Sequence, residues 1–169
     1  MGRALPAAVR ILPMSDQLEG FRGRSIEDVQ RRCFLRELPK MKGRWRYPRV
    51  GLSAEPGTVV LFQYRARIIA SAVFLRDDKF AKPTAGCAGA LWFDPGSVRT
   101  FDPVDADAMR KAWPAFRKFG HVRQFLNPAC YPAFRRRLKN VTAPPASVGR
   151  GWRANGRGVE PRMDTNGHE

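Results

Sequence analysis

Charge sets this 169-residue chain apart, because 31 lysines and arginines face 15 aspartates and glutamates, giving a formal net charge of +16 and a sequence pI near 11.1. Such a field favours a polyanionic partner, most simply nucleic acid. The hydrophobic fraction of 43% is sufficient for a folded core. No apolar run approaches the ~20 residues that span a bilayer, so no membrane partner is expected.

The cysteines indicate the compartment. Cys33, Cys87 and Cys130 are widely spaced and form no paired motif, which excludes a disulfide framework and a cysteine zinc site. Residues 1–13 hold no sustained apolar core, so secretion is not expected. We predict a cytoplasmic protein without a cofactor.

The N-terminal part predicts one strand and one helix. Residues 9–12 form a short apolar run typical of a strand. Ser25, followed by two acidic residues, indicates a helix start, because its hydroxyl can cap free N–H groups and the acids complement the helix dipole. Pro39 is expected to end this helix. Residues 40–56 are interpreted as a long connector.

The clearest local signal is a β-hairpin. Two β-branched and aromatic runs, residues 57–64 and 68–75, flank a short polar turn. Because both runs are nearly continuous in apolar residues, we expect both strands to be buried on both faces. A third strand is predicted over 90–93, ending at an Asp-Pro-Gly turn, and a half-buried fourth strand over 97–101.

Two helices are predicted after the strands, one over residues 105–112 and one from residue 127 or 131 through 138. Strands in the centre with helices at the periphery predict an α+β fold with a curled or barrel-like sheet. From residue 142 the chain is rich in Gly, Pro and Arg. We therefore predict a single domain over residues 1–141, which carries +15 of the net charge, and a flexible tail over 142–169.

Catalytic motifs are scarce in this chain. His168 lies in the predicted tail, and His121 has no acid or cysteine at metal-ligand spacing. The nucleophile elbow, the HExxH motif and the phosphate-binding loop are all missing from the sequence. Asp77 and Asp78 are expected at the end of a strand, where such a pair more often forms a solvated turn than a two-metal nuclease site. We therefore expect no catalysis by this chain.

Aromatic residues among the arginines give a better indication of function, because bases stack on aromatic rings while Arg and Lys neutralise phosphates. Trp45 lies between Arg44 and Arg46 in the predicted connector, where it either lines a base site or packs as a lid on the sheet. Trp92 and Phe93 are adjacent on a predicted strand and point to opposite faces, so only one of them can face a site.

The hairpin resembles that of the PUA-like domains, specifically their EVE and YTH-related branch. Residues 57–64 and 68–72 are similar to the Gly-Asp-x-Val-Leu-Phe-Tyr … Ile-x-Gly-x-Ala hairpin of that branch, with Thr58 where an acid is usual. Trp45 lies upstream, where these domains carry an aromatic pocket wall, and the later predicted strands follow in the same order. The resemblance covers about residues 40–140 and extends to the EVE-like modules that are fused to bacterial restriction nucleases.

This resemblance implies an α+β, PUA/EVE-like partly closed β-barrel with peripheral helices. It also implies a reader module that accepts a flipped-out base, modified or not, with DNA or RNA as partner and a separate nuclease or effector protein. Stacking and hydrogen bonds to the base edge would recover the energy of extruding the base. The candidate base-binding residues are Trp45, Tyr64 and Trp92 as stacking walls, and Gln63 and Ser71 as edge readers. The candidate phosphate contacts are Arg44, Arg46, Arg49, His121, Arg123, Arg135 and Arg136.

Two alternatives stay open at this point. The first is a metal-independent nuclease or nucleic-acid-modifying enzyme in which His121 acts as a general base. The second is an RNA-protein adaptor, for example on a ribonucleoprotein, in which the basic tail assists binding.

Overall fold

The fold is described by a computed structural model over residues 4–17, 20–49, 51–120 and 124–145. The candidates His121 and Arg123, and residues 146–169 of the predicted tail, lie outside these described residues. Thr142, the first residue of the predicted tail, exchanges backbone hydrogen bonds with Thr100.

Six strands and a few helices make up an α+β fold. The strands are β1 (Val9–Pro13), β2 (Arg44–Tyr47), β3 (Val59–Tyr64), β4 (Arg67–Thr84), β5 (Cys87–Phe93) and β6 (Arg99–Val104). A continuous N-terminal helix comprises α1 (Ile26–Val29), a π-helical segment (Gln30–Glu37) and α2 (Leu38–Lys40). The later helices are α3 (Ala106–Ala112) and α4 (Tyr131–Arg137), and short 3-10 turns span Pro95–Ser97 and Pro128–Cys130.

Most predicted elements are confirmed, with two corrections. The connector predicted over 40–56 contains β2, which pairs antiparallel with β5. Gly43 makes this pairing possible, because its φ is +84° and a Cβ there would collide with the carbonyl oxygen of Phe93. Asp77 and Asp78 do not end a strand, since β4 continues to Thr84.

The sheet is mixed and is shared between two halves by the long strand β4. In the first half-sheet, β1 pairs parallel with β3, while β3 and β6 pair antiparallel with the beginning of β4. In the second half-sheet, β5 pairs with β4 from Phe74 onward, and β2 pairs with β5. The strand order is β1-β3-β4-β5-β2, and the sheet is not closed because β1 and β2 do not pair.

Strand β3 is buried on both faces, as its continuous apolar pattern predicted. One face contributes Val60, Phe62 and Tyr64 to a core shared with the N-terminal helix. The other contributes Val59 and Leu61 to a second core, which lies under α3 and α4. Two independent apolar layers thus hold the sheet between helices.

The N-terminal helix begins where its cap was predicted. The Ser25 side chain accepts a hydrogen bond from the backbone N–H of Asp28 at 3.1 Å. Further along, the Gln30 amide donates to the carbonyl oxygens of Ile69 and Phe101 at 2.9 and 2.7 Å. These two bonds anchor the helix across β4 and β6 where their pairing register shifts.

All three cysteines are free thiols. Burial raises the pKa of Cys33 to about 12, so this thiol stays protonated at neutral pH. No helix within the described ranges is both long enough and apolar enough to cross a bilayer.

Candidate nucleic-acid interface

The outer side of the second half-sheet carries a row of arginine and tryptophan side chains. Trp92 on β5 lies directly between Arg44 on β2 and Arg76 on β4 in the strand register. Paired residues on neighbouring strands project from the same face, and so do residues two apart on one strand. We call this surface the Trp92 face, and its members are Arg44, Arg46, Arg76, Asp78, Phe80 and Trp92.

Trp92 is held in one orientation by its neighbours. Its indole Nε1–H donates to Asp78 Oδ2 at 2.8 Å, and the same carboxylate oxygen accepts from Arg76 Nε at 3.3 Å. The Arg76 guanidinium lies over the indole with its Cζ 4.7 Å from the ring centroid. Trp92 is partly buried and Arg76 is exposed. The ring is therefore fixed, whereas the cation that covers it can move.

Arg44 adds a second cation to the Trp92 face. Its Cζ lies 5.7 Å from the centroid of the Phe80 ring and 5.9 Å from that of Trp92. Its Nε is buried and has no hydrogen-bond partner among the described residues. Burial, and then the neighbouring charge of Arg46, lower the pKa of the Arg44 guanidinium, although it stays charged at neutral pH. A further anion beside Arg44 would relieve both effects.

Trp45, also a candidate, lies on the opposite side of β2 from this face. Its ring centroid is 6.3, 6.0 and 5.2 Å from those of Phe21, Phe34 and Phe62 respectively. The ring is partly buried and packs against the core beneath the N-terminal helix. This packing favours the lid interpretation of Trp45 over a stacking wall.

The two aspartates that were interpreted as a solvated turn have defined partners. Asp78 accepts from Trp92, and Asp77 Oδ1 accepts from the Tyr47 hydroxyl at 2.7 Å. Burial, and then the hydrogen bond to Asp77, raise the pKa of Tyr47 to about 12. The pair therefore orients an aromatic side chain on each side of the second half-sheet.

Tyr64 and Gln63 lie on β3, in the first half-sheet, and do not join the Trp92 face. Tyr64 is fully buried, and its hydroxyl lies 3.0 and 2.7 Å from the carbonyl oxygens of Phe21 and Arg24. That position is inside the core, where a base cannot stack on the ring. Gln63 is partly buried, and its Oε1 has no partner among the described residues.

Ser71 and Arg135 meet at a different place. Both line a surface cavity of about 380 Å³ between β4, β6 and α4, together with Arg99. Arg49 and Arg136 are exposed and line neither this cavity nor the Trp92 face. The candidate residues thus separate into two groups, with Arg44, Arg46 and Trp92 in one and Ser71 and Arg135 in the other.

Several basic residues that lie beside candidate residues or line a surface cavity were not selected from the sequence. Arg76 and Arg99 were not selected, although each is a cross-strand neighbour of a candidate, Trp92 and Ser71 respectively. Arg32, Arg36 and Lys40 were also missed. They recur every four residues along the N-terminal helix and line a surface cavity of about 440 Å³ with Glu37. Their spacing of four residues is visible in the sequence and predicts that they lie on one face of a helix.

Within the described part of the chain, no three His, Cys, Asp or Glu side chains are grouped so as to hold a metal ion. Compared with models of protein families, with curated proteins and with solved structures, the chain matches none of them.

Proposed function

We propose that this protein is a nucleic-acid-binding reader module that stacks an unpaired or flipped-out base on Trp92. The observation that carries the proposal is the orientation of the Trp92 indole ring, which has an arginine guanidinium on either side. The hydrogen bond of 2.8 Å from its Nε1–H to Asp78 Oδ2 holds the ring in place. Aromatic rings flanked by arginines suit nucleic acid, because each base offers a flat face and each nucleotide a phosphate.

The interaction energies favour replacement of the Arg76 guanidinium by a base on the Trp92 ring. An exposed cation–π contact stabilises by roughly 0.5–1 kcal/mol, whereas stacking of a base on an aromatic ring contributes about 1–3 kcal/mol. Arg76 is exposed and paired only to Asp78 among the described residues, so its guanidinium can swing from the ring to a phosphate. One movement then supplies both a stacking surface and a charge contact.

The remaining arginines of the face would contact the phosphate backbone. Arg44 has a buried Nε without a hydrogen-bond partner in the described ranges. Arg46, two residues further along β2, projects from the same face of the strand. The strip formed by Arg32, Arg36 and Lys40 is a separate basic surface on the N-terminal helix, which packs on the other side of β2 from the Trp92 face. The +16 charge of the chain supports such a footprint.

The proposal includes the finer fold that the resemblance implies, a PUA/EVE-like partly closed barrel. Strand β2, at one end of the sheet order, approaches β3, the second strand from the other end, since the Trp45 ring on β2 lies 5.2 Å from that of Phe62 on β3. A reader of this kind would work in the cytoplasm and depend on a separate nuclease or effector protein to act on the bound nucleic acid.

The proposal is tested by identifying what the protein retains on purification. Nucleic acid eluted from the wild type and from Trp92→Ala is digested to nucleosides and analysed by mass spectrometry. The wild type should retain nucleic acid and Trp92→Ala much less of it. Enrichment of a modified nucleoside would identify the base that is read, whereas equal retention by both proteins would contradict a role for Trp92.

A further inference from the structure

The cavity between β4, β6 and α4 lies in the first half-sheet and shares no residue with the Trp92 face. Its volume of about 380 Å³ falls within the range of small-molecule sites. Part of its lining is apolar, formed by Val59 and Val73 from the sheet and by Leu138 after α4. A ligand of this size that touches such a lining needs an apolar or ring-shaped part.

Two arginines give the cavity its positive charge. The guanidinium group of Arg99, on β6, is held in place through its Nη1, which donates to the carbonyl oxygens of Gly96 and Val98 at 2.8 and 2.7 Å. Its Nε and Nη2 make no hydrogen bond within the described ranges, so these donors are free for a ligand. Arg135 on α4 is exposed, and its side chain has no ion pair or hydrogen bond in the described part of the chain.

A buried hydroxyl adds a donor of a different kind. Ser71 is 6% exposed and lies opposite Arg99 in the strand register. Its Oγ forms no hydrogen bond to any described residue, although it lines the cavity. Because this hydroxyl opens into the cavity, it can donate to a ligand atom there.

The one acidic residue of the lining is already engaged. Asp94 Oδ1 accepts from the backbone N–H of Gly96 at 3.0 Å. Ser97, at the same rim, accepts from the N–H of Val73 and donates to the Asp94 carbonyl oxygen. The lining thus keeps one net positive charge from two guanidinium groups and one carboxylate.

We propose that this cavity binds a nucleoside monophosphate, either free or as the phosphorylated end of a nucleic acid. Arg99 and Arg135 would hold the phosphate, since guanidinium forks match phosphate oxygens. Ser71 would donate to the same phosphate or to the ribose. The base would lie between the apolar strand residues and the partly buried ring of Tyr131.

The test uses the full-length protein and AMP as the probe, with binding measured by calorimetry. AMP should bind the wild type, and adenosine and inorganic phosphate should each bind at least about ten-fold more weakly, because each lacks one half of the contacts. Arg135→Ala should weaken AMP binding at least about ten-fold, whereas Arg137→Ala, which removes an equal charge on the same helix outside the cavity, should leave it unchanged.

Arg99→Lys provides a second variant that keeps the charge but removes the fork, and it should also weaken AMP binding. Competition with 5′-phosphorylated and 5′-hydroxyl oligonucleotides separates the two sources of the ligand. Displacement by the phosphorylated chain alone indicates a chain end, and displacement by neither indicates a free nucleotide.

The proposal is overturned if AMP does not bind, if phosphate alone binds as tightly, or if Arg137→Ala weakens binding as much as Arg135→Ala does. Trp92→Ala should leave AMP binding intact, so a failure of the Trp92 face is distinguishable from a failure of this cavity.

Discussion

Trp92 and Asp78 are joined across neighbouring strands by an N–H···O hydrogen bond of 2.8 Å, although they lie 14 residues apart in the chain. The same carboxylate pairs with Arg76, whose guanidinium covers the Trp92 ring. One acid thus determines where the ring and its covering cation rest. In the proposed function, this arrangement would make Trp92 a preorganised stacking surface and so would limit the entropy lost when a base binds.

Arg76→Ala should reduce the dependence of nucleic-acid binding on salt. If Arg76 moves from the ring to a phosphate, its removal eliminates one contact and lowers the slope of log K against log salt by about 1. The matched control is Arg110→Ala, because Arg110 is also exposed and paired to an aspartate but lies on α3. Titrations at several salt concentrations measure both slopes, and equal slopes for the two variants would contradict the proposed movement.

Binding by the wild type should weaken steeply as salt is raised. Three phosphate contacts, from Arg44, Arg46 and Arg76, predict a slope of about −2.1 on a single strand, so increasing salt from 50 to 200 mM should lower the affinity about 18-fold. Fluorescence anisotropy with a labelled oligonucleotide gives the affinities. A flat response would be incompatible with binding through phosphates.

Trp45→Ala should destabilise the protein. The ring packs against Phe21, Phe34 and Phe62, so its removal leaves a cavity and should lower the free energy of unfolding by about 3 kcal/mol. For a chain of this size that corresponds to a fall in Tm of about 6–12 °C. Thermal denaturation followed by circular dichroism measures the change. An unaltered Tm together with lost binding would instead assign Trp45 to a base pocket.

Tyr47 should make stability dependent on pH in the alkaline range. Its pKa is raised from 10.0 to about 12 in the folded protein, so the unfolded chain loses this proton first. The stabilising contribution of the protonated Tyr47 to the free energy of unfolding is therefore complete below pH 10 and decreases as the pH rises toward 12. Urea denaturation should show a steeper loss of stability in this window for the wild type than for Tyr47→Phe. Parallel curves for the two proteins would contradict the shift.

The local parts of the fold could be predicted from the sequence, because their signals are local. Strands β3 and β4 begin as continuous apolar runs, and the turn between them has Arg65 and Ala66 at positive φ, as a two-residue hairpin turn requires. Strand β2 was missed because Gly and Pro flank it. Its alternation of arginine with Trp45 and Tyr47 is nevertheless the period of two that a half-buried strand shows.

The composition of the candidate site could be predicted only in part. Asp78 was assigned to a turn because the second half of β4 is polar, and its pairing with β5 was missed although Ala85 and Gly86 form a two-residue turn between these strands. The cavity that brings Ser71 and Arg135 together depends on the packing of α4 over the sheet, which is a tertiary relationship. Tyr64 was selected as a stacking wall although the continuous apolar run that it ends predicts burial, and the structure places it inside the core.

The most direct test of the central claim is the affinity of Trp92→Ala for a single-stranded oligonucleotide, measured by anisotropy beside the wild type and Trp92→Phe. Loss of one stacked base, about 1–3 kcal/mol, predicts a decrease of roughly 5- to 150-fold for the alanine variant, with an unchanged salt slope. Trp92→Phe should recover part of the affinity, because it keeps a ring but loses the N–H that Asp78 holds. An alanine variant that folds and binds as tightly as the wild type would show that Trp92 is not the base-binding surface.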